Sequence, residues 1–114
     1  MAALVLTAWI ARPAPPETIR WQPYTDLAIE RARAGGKMVL VDFTASWCAE
    51  CKELARNTFS DPSVGAAARE FVALRADMTD WGGAASQRLK GRYGIVGLPT
   101  VVRLSPISES LAAR

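Results

Sequence analysis

Short apolar runs recur along the chain and are separated by longer segments of mixed polarity. Residues 38–43 form a nearly continuous apolar run rich in β-branched side chains, which is typical of a strand buried on both faces of a sheet. Residues 71–76 predict a second central strand, and residues 19–24 and 100–104 can supply two more. The pattern predicts four strands.

Helices are predicted between the strands, over residues 25–34, 48–56, 61–70 and 84–92. Thr25 or Asp26 can cap the first helix, and Gly35-Gly36 can end it by allowing left-handed backbone. Asp61 followed by Pro62 is a typical start for the third helix. Strands that alternate with helices in this way predict an α/β domain.

Composition narrows the chemistry that this domain can perform. The 114 residues fit one small domain, and the net charge of +3 comes from scattered arginines, which gives little support for a nucleic-acid partner. The sequence has no histidine, the commonest metal ligand and general base, and its two cysteines cannot build a four-cysteine zinc site. We therefore expect thiol chemistry and no metal.

The first 20 residues differ in character from the rest of the chain. Residues 1–11 are apolar apart from Thr7, yet a bilayer crossing needs about 20 residues. The run is either the end of a membrane helix cut from a longer protein or a disordered N-terminus. Trp9 followed by Arg12 favours the membrane interpretation. Residues 12–17 contain three prolines and predict an extended linker. We expect the domain over residues 21–104 and a short tail over 105–114.

Cys48 and Cys51 stand where the strand at 38–43 passes into a helix. At a helix N-terminus, free N–H groups and the helix dipole stabilise the Cys48 thiolate. Cys51 lies one turn along, close enough for a small disulfide ring. Metal binding and inert thiols are the alternatives, but one pair supplies only two of four zinc ligands. The strand-to-helix setting favours redox chemistry. We expect Cys48 to be the more exposed thiol.

Two motifs carry a resemblance to thioredoxin-fold proteins. The string VDFTASWCAECK at residues 41–52 resembles their active-site region, and YGIVGLPT at 93–100 resembles their cis-proline loop. The string NTFSDPSV at 57–64 is similar to the C-terminal periplasmic domain of DsbD-type thiol:disulfide interchange reductases. The likeness covers about residues 21–104. It implies a three-layer α/β fold around a mixed sheet, with no cofactor beyond the redox-active disulfide.

The resemblance also assigns catalytic roles. Cys48 would be the nucleophile that attacks the partner's disulfide, and Cys51 the resolving thiol. Asp42 matches the buried acid that takes or returns the Cys51 proton. The alternative for Asp42 is a strand-end carboxylate bonded to solvent, although burying an unpaired carboxylate is costly without a purpose.

Four further residues are expected around the thiols. Trp47 would shield them and shape the docking surface, with plain core packing as the alternative. Pro99, if cis, would hold its backbone beside Cys48 for pairing with an extended substrate, together with Leu98. The Glu50 carboxylate lies between the thiols and would modulate the acidity of Cys48 by disfavouring its thiolate, unless it is simply solvated.

The sequence departs from the family in two places. Related proteins often carry a further acid one helical turn after the second cysteine, where this chain has Ala55, and Glu53 points elsewhere on the helix. A thioredoxin fold also continues with another strand and helix. Residues 105–114 offer neither strand nor long helix, because Pro106 disfavours a strand. We therefore expect a fold truncated after the cis-proline strand, with Val101, Val102 and Leu104 partly in water.

The function predicted from these features is protein-disulfide reduction by dithiol–disulfide exchange. The partners would be other thiol/disulfide proteins, including a membrane-embedded redox domain of the same parent protein. The location would be the bacterial periplasm, with a membrane tether. A general thioredoxin-like or cytochrome c maturation reductase is one alternative. A non-enzymatic binding or metal-handling module and a truncated, inactive product are the others.

Overall fold

The computed structural model describes residues 15–107. Four strands and four helices follow one another: β1 (Gln22–Pro23), α1 (Asp26–Ala34), β2 (Met38–Thr44), α2 (Ala49–Asn57), α3 (Pro62–Ala68), β3 (Phe71–Asp77), α4 (Ala84–Tyr93) and β4 (Thr100–Leu104). None of the helices in this part of the chain is long and apolar enough to span a membrane. The prediction for the apolar run at 1–11 lies outside the described residues.

The sheet is mixed, with strand order β1-β3-β2-β4. β3 runs parallel to both β1 and β2, and β4 runs antiparallel to β2. β1 is shorter than the strand expected over 19–24. Pro23 has no N–H to donate, and Ile19 is buried in a core cluster instead of being paired in the sheet. The four predicted strands are confirmed, with this one difference in length.

Side chains alternate between the two faces of β2 and β3 and create two separate apolar clusters. The first cluster joins the sheet to α1 and α4, and its buried members are Ile29, Ala32, Val39, Val41, Phe43, Leu74, Ala76, Met78, Leu89 and Ile95. The second joins the opposite face to α2 and α3, and its buried members are Ile19, Phe59, Ala68 and Ala73. The helices therefore cover both faces, which confirms the three-layer α/β fold.

The predicted helix ends are confirmed within two residues. The Thr25 side chain accepts a hydrogen bond from the backbone N–H of Ala28 at 3.0 Å, and Asp61 accepts one from the N–H of Ser63 at 2.8 Å. Each removes an unpaired donor from the first turn of its helix. After α1 the chain turns through Gly36, whose φ of 78° favours glycine. These caps explain why the helices begin and end where the sequence indicates.

The chain after β4 returns to the end of α1. Arg33 Nε donates to the carbonyl oxygen of Ser105 at 2.7 Å, and the N–H of Ile107 donates to the carbonyl oxygen of Arg33 at 3.1 Å. Val102 and Leu104 pack against the first cluster. Both remain only partly buried and Val101 is 42% exposed, so the three side chains lie partly in water, as expected.

Gly65 in α3 provides a test of how the segment before β1 packs. A Cβ at this position would lie 2.9 Å from the carbonyl oxygen of Thr18 and would also meet the Thr18 side chain. We expect Gly65→Ala to lower the free energy of unfolding by about 1–3 kcal/mol because of this overpacking. Gly91→Ala is the matched control, since a Cβ on this α4 glycine meets nothing within 4 Å. It should raise stability by about 0.5–1 kcal/mol in urea unfolding. Equal effects of the two changes would contradict the proposed contact.

Candidate active site

A disulfide joins Cys48 and Cys51 at the start of α2. β2 ends at Thr44, and after a short turn Cys48 caps the helix, with its Sγ accepting a hydrogen bond from the Cys51 N–H at 3.1 Å. The two Cα atoms are 5.2 Å apart. The first cysteine therefore occupies the helix N-terminus, where backbone N–H groups and the helix dipole favour a thiolate once the disulfide is reduced.

Both cysteines are buried in the oxidised protein. Cys48 is 2% exposed and Cys51 is 6% exposed, and they form a cluster with Ala45 against which Leu98 packs. Cys48 is thus not the more exposed of the two in the oxidised protein, and the expectation for the reduced thiols stays a prediction. Ala45, in the turn before α2, and Leu98, in the loop before β4, both pack against the disulfide.

Trp47 lies on the surface and rests on the loop that follows β3. Its indole Nε1 donates to the carbonyl oxygen of Thr79 at 2.9 Å, and its ring meets Trp81 edge-on with centroids 6.1 Å apart. The Thr79 hydroxyl accepts a hydrogen bond from the N–H of Ser46 at 2.9 Å. With 55% of its surface exposed, Trp47 is not a core residue. Its proposed role in docking stays a prediction.

The loop before β4 approaches the cysteines from the other side. The Leu98–Pro99 peptide bond is cis, as the motif predicted. Leu98 packs on the cysteine cluster, whereas Val96 in the same loop is 97% exposed. The exposure of Val96 could not be predicted from the sequence, because no local signal distinguishes it from Ile95, which is buried. The docking roles of Leu98 and Pro99 remain predictions.

Asp42 is buried in the sheet and paired with an arginine. It is 2% exposed, and Arg75 Nε, from the residue opposite it on β3, donates to its Oδ2 at 2.9 Å. It is therefore not a strand-end carboxylate bonded to solvent. Burial raises the pKa of the Asp42 carboxyl above its usual range, and the Arg75 guanidinium offsets only part of that effect. Whether Asp42 exchanges the Cys51 proton stays a prediction.

Arg75 and its second partner, Glu17, were not predicted as site residues from the sequence. Arg75 interrupts a mainly apolar strand, which is the one local signal of a special role, and Glu17 was assigned only to the linker. Both guanidinium Nη atoms donate to the Glu17 carboxylate, at 2.7 and 3.0 Å. An acid from the segment before β1 is thus connected through Arg75 to Asp42.

The remaining predicted residues lie on or near the first turns of α2. Glu50 is exposed between the cysteines, and its effect on Cys48 stays a prediction. Glu53 accepts a hydrogen bond from Asn57 Nδ2 at 2.9 Å, and Ala55 packs against the second cluster. Between residues 15 and 107, no three Cys, Asp or Glu side chains are grouped as metal ligands would be.

Comparisons with known proteins agree with this geometry. The Thioredoxin-like family model matches residues 20–106. The chain is 42% identical over 77 residues to thiol:disulfide interchange protein DsbD of Ralstonia nicotianae, covering 68% of this chain but only 12% of that protein. A thioredoxin from Thermus thermophilus superposes with a TM-score of 0.65 at 33% identity, covering 80% of this chain and 68% of that one. The oxidised C-terminal domain of Neisseria meningitidis DsbD gives 0.57 at 29% identity, covering 75% and 85%.

Substitution of Thr79 can test whether the loop after β3 stabilises the turn that carries the cysteines. Thr79→Val removes the hydroxyl that accepts the Ser46 N–H, and we expect it to lower the free energy of unfolding by about 0.5–1.5 kcal/mol. Thr79→Ser keeps a hydroxyl and should stay close to the original protein. Urea unfolding followed by tryptophan fluorescence measures both. A valine variant as stable as the serine variant would show that the hydrogen bond is unimportant.

Substitution of Asp42 can test how burial of its carboxyl affects the free energy of unfolding. A folded-state pKa above the unfolded value means that the folded protein binds the proton more tightly, so stability falls as the pH rises from the unfolded pKa through the raised one. Asp42→Asn removes this titration and keeps an oxygen that can accept from Arg75. We therefore expect the stability advantage of Asp42→Asn over the original protein to grow with pH across that window. Urea unfolding of the oxidised proteins at a series of pH values measures it, and a difference independent of pH would contradict it.

Proposed function

The chain belongs to the Thioredoxin-like family, and on that premise we propose that it is a protein-disulfide reductase domain working in a DsbD-like electron relay. The observation that carries the proposal is the Cys48–Cys51 disulfide at the N-terminus of α2, covered by the cis-proline loop. Similarity to DsbD proteins in both sequence and structure supports a thiol:disulfide oxidoreductase role.

The proposed reaction moves one electron pair from the two thiols to a partner's disulfide. The Cys48 thiolate attacks one sulfur of that disulfide, so that a mixed disulfide forms and the other partner sulfur leaves as a thiolate. Cys51 then loses its proton and attacks the Cys48 sulfur. The Cys48–Cys51 disulfide forms, and the second partner sulfur leaves. The partner is reduced by two electrons and this domain is oxidised by two.

We propose that Asp42 accepts the proton that Cys51 loses. A general base must be able to hold the proton at the working pH, and burial moves the pKa of Asp42 upward, in the direction that this task requires. Arg75 keeps the carboxyl oriented by its 2.9 Å hydrogen bond. Asp42 would release the proton when the thiols are regenerated.

Partner proteins would dock on the apolar surface around the disulfide. Trp47 and Val96 are exposed, and Leu98 packs on the buried cysteines. An extended segment of the partner would lie beside Pro99 and bring its own disulfide to Cys48. Glu50, exposed between the cysteines, would disfavour the Cys48 thiolate and so keep the pair reducing.

The proposed place of action is the bacterial periplasm. The relatives named DsbD and the C-terminal domain structure support a location and partners of that kind. A membrane-embedded redox domain of the same parent protein would supply electrons, and other thiol/disulfide proteins would receive them. A general thioredoxin-like reductase is the second candidate, supported by the similarity to the Thermus thermophilus thioredoxin.

Single cysteine variants test the proposed roles. Cys51→Ser should accumulate a mixed disulfide with a disulfide-containing protein such as insulin, because no resolving thiol remains, whereas Cys48→Ser should not. Non-reducing gels and mass spectrometry detect the adduct. Trapping by Cys48→Ser alone would reverse the assignment of the nucleophile.

The equilibrium with glutathione, measured beside a zinc and copper titration, separates the reductase from the metal-handling module. A reducing potential with weak metal binding supports the reductase. Tight metal binding by the reduced cysteines, with no turnover of insulin, would favour the other class.

A further inference from the structure

Glu17 is held on the domain by its neighbour Thr18. The Thr18 N–H and hydroxyl both donate to the carbonyl oxygen of Phe59, at 2.6 and 2.9 Å, and the hydroxyl also reaches the carbonyl oxygen of Asp61 at 2.8 Å. These contacts join the segment before β1 to the connection between α2 and α3. The position of Glu17 is thus fixed by hydrogen bonds that do not involve its own side chain.

Arg75 connects Glu17 to the buried acid. Its Nε donates to Asp42, its two Nη atoms donate to Glu17, and its guanidinium lies 4.7 Å from the centroid of the Trp21 ring. Trp21 Nε1 in turn donates to Glu17 at 3.1 Å. The side chains of Asp42, Arg75 and Glu17 are 4%, 28% and 29% exposed, so the chain of contacts leads from the interior to the surface.

Two carboxylates therefore share one guanidinium. Arg75 on β3 and Glu17 in the segment before β1 are the charged groups that act on Asp42. From α2, Lys52 and Arg56 line the 380 Å³ cavity beside Glu17, together with Pro15, Pro16 and Ala55. A guanidinium that also neutralises Glu17 attracts the Asp42 carboxylate less strongly than an unshared one would.

We propose that Glu17 and Arg75 are positioning residues for Asp42, and that the contact of Glu17 with Arg75 sets how readily the buried carboxyl exchanges its proton. The segment before β1 thereby regulates the active site. This inference rests on the proposed function only in giving Asp42 the Cys51 proton. Glu17 lines the same cavity as Ala55, the position at which related proteins often carry a further acid.

The two positioning residues act in opposite directions. Arg75 lowers the pKa of Asp42 by favouring the carboxylate, and Glu17 raises it by like-charge repulsion. Removing the charge of Glu17 should therefore shift the titration of Asp42 to lower pH, and removing the charge of Arg75 should shift it to higher pH. A residue that only supported the fold would not produce shifts of opposite sign.

The test is the titration of the Asp42 side chain, followed by carbon-13 NMR of its carboxyl in the full chain. The variants are Glu17→Gln, Arg75→Gln and, as a matched control, Glu30→Gln, which removes an exposed acid from α1 on the other face of the sheet. We expect Glu17→Gln to move the midpoint to lower pH, because it removes a like charge, and Glu30→Gln to leave it unchanged. An unchanged or raised midpoint in Glu17→Gln would overturn the inference.

Separate readouts distinguish failure of the Glu17–Arg75 contact from failure of the proposed function. If Arg75→Gln does not fold, Glu17→Gln still decides, because it is isosteric and lies at the surface. The pH profile of insulin reduction by the same variants should shift in the same direction as the Asp42 midpoint. No insulin reduction by the original protein would refute the proposed function while the NMR midpoints still tested the contact. Activity with unmoved midpoints would refute the contact alone.

Discussion

The parallel pairing of β2 with β3 is the constraint on which the rest of this site depends. Seven residue pairs run in register from Met38 and Phe71 to Thr44 and Asp77. Because both strands end at the same level, their following loops emerge side by side. One loop carries the cysteines and the other carries Thr79, which supports the first. The same register places Asp42 directly opposite Arg75, on the face of the sheet that carries the second cluster. A slip of one residue would turn Arg75 to the opposite face of the sheet from Asp42 and break the pair.

Much of this arrangement could be predicted from sequence because the signals are local. Apolar runs identified the two central strands, and caps such as Thr25 and Asp61 identified where helices begin. Two cysteines just after a buried strand predicted a helix N-terminus at Cys48, and α2 begins directly after that residue. In each case the determining residues lie within a few positions of the feature that they specify.

What the sequence did not reveal depends on contacts between distant segments. The partner of Asp42 lies 33 positions away and the partner of Arg75 lies 58 positions away. Neither distance can be inferred from periodicity. The contact of Val102 and Leu104 with the first cluster likewise depends on the pairing of β4 with β2, and both side chains remain partly exposed, as the sequence predicted. The Trp47 side chain is largely apolar, yet it lies at the surface, where its indole N–H donates to the loop after β3.

The guanidinium shared by Asp42 and Glu17 has a mechanical consequence. Coupling between two equilibria is reciprocal. If Glu17 alters the proton affinity of Asp42, the protonation state of Asp42 must therefore alter the strength of the ion pair between Arg75 and Glu17. A protonated Asp42 leaves the full positive charge of Arg75 to Glu17, and the segment is then held more tightly. The protonation state of a buried acid would thus determine how firmly the segment before β1 is attached to the domain.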